Sequence, residues 1–140
     1  MFGFEDLIVC CDETADDELC FRRAAKLAGV ESEIVFIKNG EEAERYFAKV
    51  GQGGGHVPSV IFLRYQIGTY RGTELLLKLR ENAALKSVPV VFMTSPAWDA
   101  ELFREPDPPE ADVIYSKLIV PESFEEVAEE LGTRRQNRRH

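Results

Sequence analysis

Two histidines, three cysteines and one tryptophan are all that the 140 residues hold of those types, and each shortage excludes a chemistry. No nucleophile is paired with His56 or His140, so nothing supports hydrolytic catalysis. Cys10 and Cys11 are adjacent and Cys20 stands apart, which is neither a disulfide framework nor a zinc spacing such as C-x-x-C. They read as reduced, buried thiols. Cationic charge is also scarce: 17 Lys and Arg face 25 Asp and Glu, for a net charge of -8. Phosphate contacts need clustered basic residues, so the body of the chain is not expected to bind nucleic acid. No apolar stretch approaches the roughly 20 residues that span a bilayer, and Met1-Phe-Gly-Phe-Glu-Asp6 has no basic export region. The expectation is a cytoplasmic protein with no membrane partner. Glycine is missing from the turn after the first apolar run and concentrated in Gly51-Gln-Gly-Gly-Gly-His56, behind a helix and ahead of a strand. That order is the reverse of a phosphate cradle, so the segment is a surface connection.

Five short runs rich in Val, Ile and Phe are present: Leu7 to Cys11, Glu33 to Ile37, Val60 to Leu63, Val88 to Met93 and Val113 to Tyr115. None alternates polar with apolar, so both faces of each strand should be covered, as in a parallel sheet between helical layers. Helical periods lie between them. Thr14 with Asp17 forms a capping box for a helix to about Ala28, stopped by Gly29. A second helix opens at Asn39-Gly40-Glu41-Glu42 and carries Ala43, Tyr46 and Phe47 on one side. A third runs from about Gly72 to Asn82 with Leu75, Leu76 and Leu79 inward. A fourth, about Pro96 to Arg104, is cut short by Pro106, Pro108 and Pro109. The last places Phe124, Val127, Ala128 and Leu131 at i, i+3, i+4 and i+7 behind Pro121. This alternation predicts one α/β domain over residues 1–131, a doubly wound sheet whose ligand crevice lies outside the carboxyl ends of the strands. Residues 132–140 form a basic tail, read as solvated or as an electrostatic arm for an acidic partner or RNA.

The residues closing the strands are therefore the candidate site. Asp12 and Glu13 follow the first run, Arg64 the third, Thr94 and Ser95 the fourth, Ser116 and Lys117 the fifth. On these positions, and on the stretches LIVCCDETADDELC and NAALKSVPVVFMTS, the chain resembles the receiver domains of two-component response regulators, from about Leu7 to Leu131. The nearest look is to single-domain regulators that partner bacterial phytochromes. The resemblance implies a flavodoxin-like five-stranded parallel sheet of order 2-1-3-4-5 and a site built for phosphoryl transfer with Mg²⁺. Asp12 matches the second acid of the metal-binding pair, Thr94 the hydroxyl and Lys117 the lysine. The departures are Cys11 for the other acid, Leu118 for a proline after the lysine, Ile114 where an aromatic switch residue often lies, and Gly68 for another proline. Above all, Arg64 holds the phosphoacceptor position.

A guanidinium has five donors and no free lone pair, so Arg64 cannot accept a phosphoryl group. With two cations and one or two carboxylates in the site, Mg²⁺ binding should be lost or very weak, and no cofactor is expected. Three roles remain for Arg64. It pairs with Asp12 from the neighbouring strand, with a Coulomb attraction of about 4 kcal/mol at about 4 Å before desolvation. It joins Thr94 and Lys117 around an anion such as phosphate or a small nucleotide. Or its head is solvated. The function expected is a pseudo-receiver, not an enzyme, that binds a protein partner, a sensor histidine kinase or a downstream effector, without being phosphorylated. Its docking and dimerisation surface would include Trp98, Phe103, Ile114, Tyr115 and Phe124, with Trp98 the anchor and Phe124 equally suited to plain core. Phosphorylation at a non-standard residue, Asp12 or Thr94, is the other alternative.

Overall fold

Every expected apolar run forms a strand, and alternation between strand and helix settles which faces are covered. The computed structural model describes residues 6–95 and 111–138. Its elements are β1 (Leu7–Cys11), α1 (Ala15–Leu27), β2 (Glu33–Ile37), α2 (Gly40–Gly51), β3 (Val60–Arg64), β4 (Gln66–Ile67), β5 (Tyr70–Arg71), α3 (Gly72–Glu81), β6 (Val90–Met93), β7 (Val113–Tyr115) and α4 (Pro121–Arg138). The five long strands form a parallel sheet of order β2-β1-β3-β6-β7, which is the flavodoxin-like order expected. The expected short helix near Pro96 to Arg104, with Trp98 and Phe103, lies outside the described residues.

Successive residues of a strand point to opposite faces, so the sheet divides its apolar side chains between two cores. Val9, Cys11, Ile61, Leu63 and Phe92 pack with Phe47 of α2 and Leu75, Leu76 and Leu79 of α3. Ile8, Cys10, Phe62 and Val91 pack with Phe21 of α1 and Phe124 and Val127 of α4. In that second layer Phe21 meets Phe62 at 5.0 Å and Phe124 at 5.5 Å, both edge-on. Central β1, β3 and β6 are buried throughout except at Arg64, whereas β2 is only partly covered because it is an edge strand.

Three boundaries differ from expectation. β6 begins at Val90 and not Val88, since Pro89 has no N–H to give to the ladder, though its carbonyl accepts from Ile61 at 2.9 Å. Helix α4 continues past Leu131, where a solvated tail was expected, to Arg138. Arginine and glutamine are good helix formers, and basic residues suit a helix C-terminus. The third difference is an unexpected antiparallel pair, β4 with β5, joined by Gly68 and Thr69. Gly68 has φ +62°, which a side chain would strain.

Candidate functional site

The carboxyl ends of β1, β3, β6 and β7 meet at one edge of the sheet. Cys11 is in register with Leu63, so Asp12 lies one step beyond, beside Arg64, and Arg64 is in register with Met93. The pair closes with two hydrogen bonds: Arg64 Nε donates to Asp12 Oδ1 at 3.0 Å, and Nη2 donates to Oδ2 at 2.7 Å. The Glu13 amide adds a third bond to Asp12 Oδ1 at 2.8 Å. Asp12 has a side-chain exposure of 8% and Arg64 of 33%. Burial pushes the Asp12 pKa up, opposed by the hydrogen bonds and charge of Arg64. Burial also works against the Arg64 charge, but the Asp12 carboxylate outweighs it and raises the guanidinium pKa further. These two directions favour different states of Asp12. The Arg64 direction governs, because a guanidinium stays protonated throughout and its two donors require an ionised acceptor.

The loop after β3 is tied to the same place. Gly72, the first residue of α3, packs so close to the Arg64 carbonyl that an added Cβ would collide with it. The Gly68 amide donates to Glu13 Oε1 at 2.6 Å. Tyr70 donates to Glu44 Oε2 of α2 at 2.9 Å, and Lys78 of α3 donates to Glu44 Oε1 at 2.5 Å. Both acids of the β1–α1 turn thus serve internal donors, Asp12 those of Arg64 and Glu13 that of Gly68.

The other site residues do not all converge. Thr94 is buried at 4% exposure, and its hydroxyl donates weakly to the Ser95 carbonyl at 3.4 Å. Thr94, Ser95, Ser116 and Lys117 line one cavity with Arg64, of about 260 Å³, whose lining also includes Phe21, Met93 and Ile119. The Lys117 side chain is 73% exposed, and its Nζ lies 3.7 Å from Glu126 of α4. Cys11 is wholly buried under the α2–α3 layer, where desolvation raises its thiol pKa far above the ordinary range and keeps it neutral. On the proposed docking surface, Ile114 is half-buried and Phe124 is core. Tyr115, expected to face a partner, is buried instead: as residue 115 it alternates with Ile114 and faces α4, where its hydroxyl donates to Glu126 at 3.0 Å and lies 2.8 Å from the Ser123 hydroxyl.

Mg²⁺ needs several free oxygen ligands in octahedral array. Asp12 has both oxygens engaged by a cation, Glu13 is held by an amide and Cys11 is a neutral thiol. Among the described residues no group of three or more His, Cys, Asp or Glu has metal-binding geometry. The residues present do not fit the ion. Sequence reasoning missed the Glu13–Gly68 tie and the β4–β5 pair. The signal for them was Gln66-Ile67-Gly68-Thr69-Tyr70-Arg71, two short arms about a two-residue turn led by glycine.

The fold is that of a response-regulator receiver domain. The chain superposes on the bacteriophytochrome response regulator RtBRR with a TM-score of 0.76 and 20% identity, over 91% of this chain and 78% of that one. It superposes on the receiver domain of sensor histidine kinase PA1611 from Pseudomonas aeruginosa PAO1, which holds a magnesium ion in its active-site cleft, with a TM-score of 0.73 and 11% identity, over 91% and 98%. In sequence it is 25% identical to the probable methanogenesis regulatory protein FilR2 of Methanothrix harundinacea (strain 6Ac) over 121 residues, 86% of this chain and 76% of that protein. No family model matches the chain. Among the described residues no helix is long and apolar enough to cross a membrane.

Proposed function

We propose that the chain is a pseudo-receiver: a module of two-component signal transduction that acts through a protein partner, a sensor histidine kinase or a downstream effector, without taking up a phosphoryl group. It is a cytoplasmic binding module and not an enzyme. The observation that carries this reading is the bidentate Arg64–Asp12 pair, which puts a non-nucleophile at the end of β3 and occupies the acid next to it. The pair stands in for the divalent cation as the positive charge beside Asp12, so the site has one resting arrangement. The receiver fold shared with RtBRR and the regulatory relative FilR2 support the signalling context. The test is incubation with acetyl phosphate and Mg²⁺, followed by intact-mass measurement. The expected result is an unmodified chain. A phosphoryl adduct mapped to Asp12 or Thr94 would replace this reading with a receiver phosphorylated at a non-standard residue.

One observation favours a second reading, an anion sensor. The pair leaves Arg64 Nη1 outside its hydrogen bonds, and the adjoining cavity also receives Thr94 and Lys117. Against it, Asp12 and Asp17 line the same cavity and offset the cationic charge. Titration calorimetry with phosphate and nucleotides separates the two: heat of binding that Arg64→Ala abolishes establishes the sensor, and no heat removes it.

A further inference from the structure

We propose that the cavity beside Arg64 binds a small carboxylate carrying one apolar ring, its carboxylate held by the guanidinium donors that Asp12 leaves over and its ring set among Phe21, Met93 and Ile119. The inference rests on the reading of the site given above, because it needs the Arg64–Asp12 pair to stay closed and the metal to stay out.

The charge of the cavity selects the charge of the ligand. Asp12, Asp17, Arg64 and Lys117 all line it, so two carboxylates are set against two cations. Both cations are already shared: Arg64 with Asp12, and Lys117 with Glu126 at 3.7 Å. A phosphate dianion entering there meets two negative side chains and no net positive charge to offset them. A monoanion makes a smaller demand. Asp12 takes the Nε–Nη2 edge of the guanidinium, using two of its five donors. The Nη1–Nη2 edge is left, and its parallel N–H groups match a planar carboxylate. Thr94 supplies a further polar contact. Its side chain is buried and lines the same cavity, and its bond to the Ser95 carbonyl is 3.4 Å, longer than the about 2.5–3.0 Å of a sound O–H···O bond.

The size and apolar lining of the cavity select the rest of the molecule. Phe21, Met93, Leu118 and Ile119 contribute to a space of about 260 Å³. A dry cavity of about 150 Å³ holds benzene, and sites for drug-sized ligands begin near about 300 Å³. One ring with a short acidic arm fits between those limits. Its apolar surface leaves water for contact with Phe21, Met93 and Ile119, a gain that a hydrated inorganic anion cannot make.

Cys20 reports on the cavity, since it lines it and is exposed, whereas Cys10 and Cys11 are buried. Alkylation of the full chain by iodoacetamide, followed by intact mass, should slow in the presence of phenylacetate and stay unchanged with inorganic phosphate at matched ionic strength. Titration calorimetry should place phenylacetate about tenfold or more above both benzyl alcohol, which lacks the charge, and acetate, which lacks the ring. Two variants locate the site. Arg64→Lys keeps a cation beside Asp12 but loses the Nη1–Nη2 edge, and Cys20→Trp fills the cavity from an exposed position. Each should weaken phenylacetate by about tenfold or more. Absence of heat with unchanged alkylation overturns the proposal, as does an affinity that neither variant lowers, or phosphate that binds more tightly than phenylacetate. Failure of phenylacetate alone leaves the pseudo-receiver reading standing. A phosphoryl adduct formed with acetyl phosphate and Mg²⁺ removes that reading and this proposal together.

Discussion

Arg64 carries its charge into a site whose other conspicuous group is a buried carboxylate, and the energetics of the pair depend on how much water reaches it. Removing one partner of a fully buried ion pair costs about 3–5 kcal/mol, and of an exposed pair below about 1 kcal/mol. With Asp12 nearly buried and Arg64 one-third exposed, Asp12→Ala should destabilise the protein by about 2 kcal/mol in urea denaturation. A loss below about 0.5 kcal/mol would mean that solvent already satisfies the guanidinium. That the two residues lie near each other was legible in the sequence, because Arg64 ends the third apolar run and strands one and three are neighbours in the implied order, but the ion pair was only one of three roles open to Arg64. The position of Lys117 was not legible. Glu126 draws its amine, and Glu126 comes from a helix whose rotation about its axis is set by Phe124 and Val127 in the core.

The element that most separates expectation from structure is the β4–β5 pair. Its hold on α2 and α3 runs through Glu44, whose carboxyl pKa is lowered first by the hydrogen bond from Lys78 and then by that from Tyr70. A depressed folded-state pKa means that the unfolded chain binds the proton more readily. The stabilisation is therefore present above the ordinary glutamate value of 4.5 and is lost as pH falls through the lower folded value. The Tyr70 ring resonances in NMR should shift with a midpoint below 4.5, and Glu44→Gln should abolish that transition. A midpoint at or above the ordinary value would show that the hydrogen bonds do not hold in solution. The α1 capping box, by contrast, needed nothing beyond its own four residues: Thr14 Oγ1 accepts from the Asp17 amide at 3.0 Å, and Asp17 Oδ2 accepts from the Thr14 amide at 3.1 Å.

At the scale of the whole molecule, stability rests on two cores divided by the sheet. Phe62 is 1% exposed and lies between Phe21 and Phe124. Phe62→Ala would open a cavity at the junction of β3, α1 and α4, and should cost about 3–5 kcal/mol with an unchanged dependence on denaturant. A much smaller loss would mean that the α1–α4 layer collapses readily into the space, and that the helices there are loosely held.

The sequence by itself determined the strand and helix order, the parallel sheet and the edge at which Asp12, Arg64, Thr94 and Lys117 emerge. Those depend on local periodicity and on a chirality rule for crossovers, both written in short stretches of chain. Tertiary structure alone decided which of these groups touch: that Asp12 turns both oxygens to Arg64, that Glu13 is claimed by Gly68, that Lys117 leaves for Glu126 and that Tyr115 points into the core. Hydrogen bonds between residues 52 and 55 positions apart depend on angstrom-scale register and on side-chain direction, which the packing of distant elements sets and no local pattern encodes.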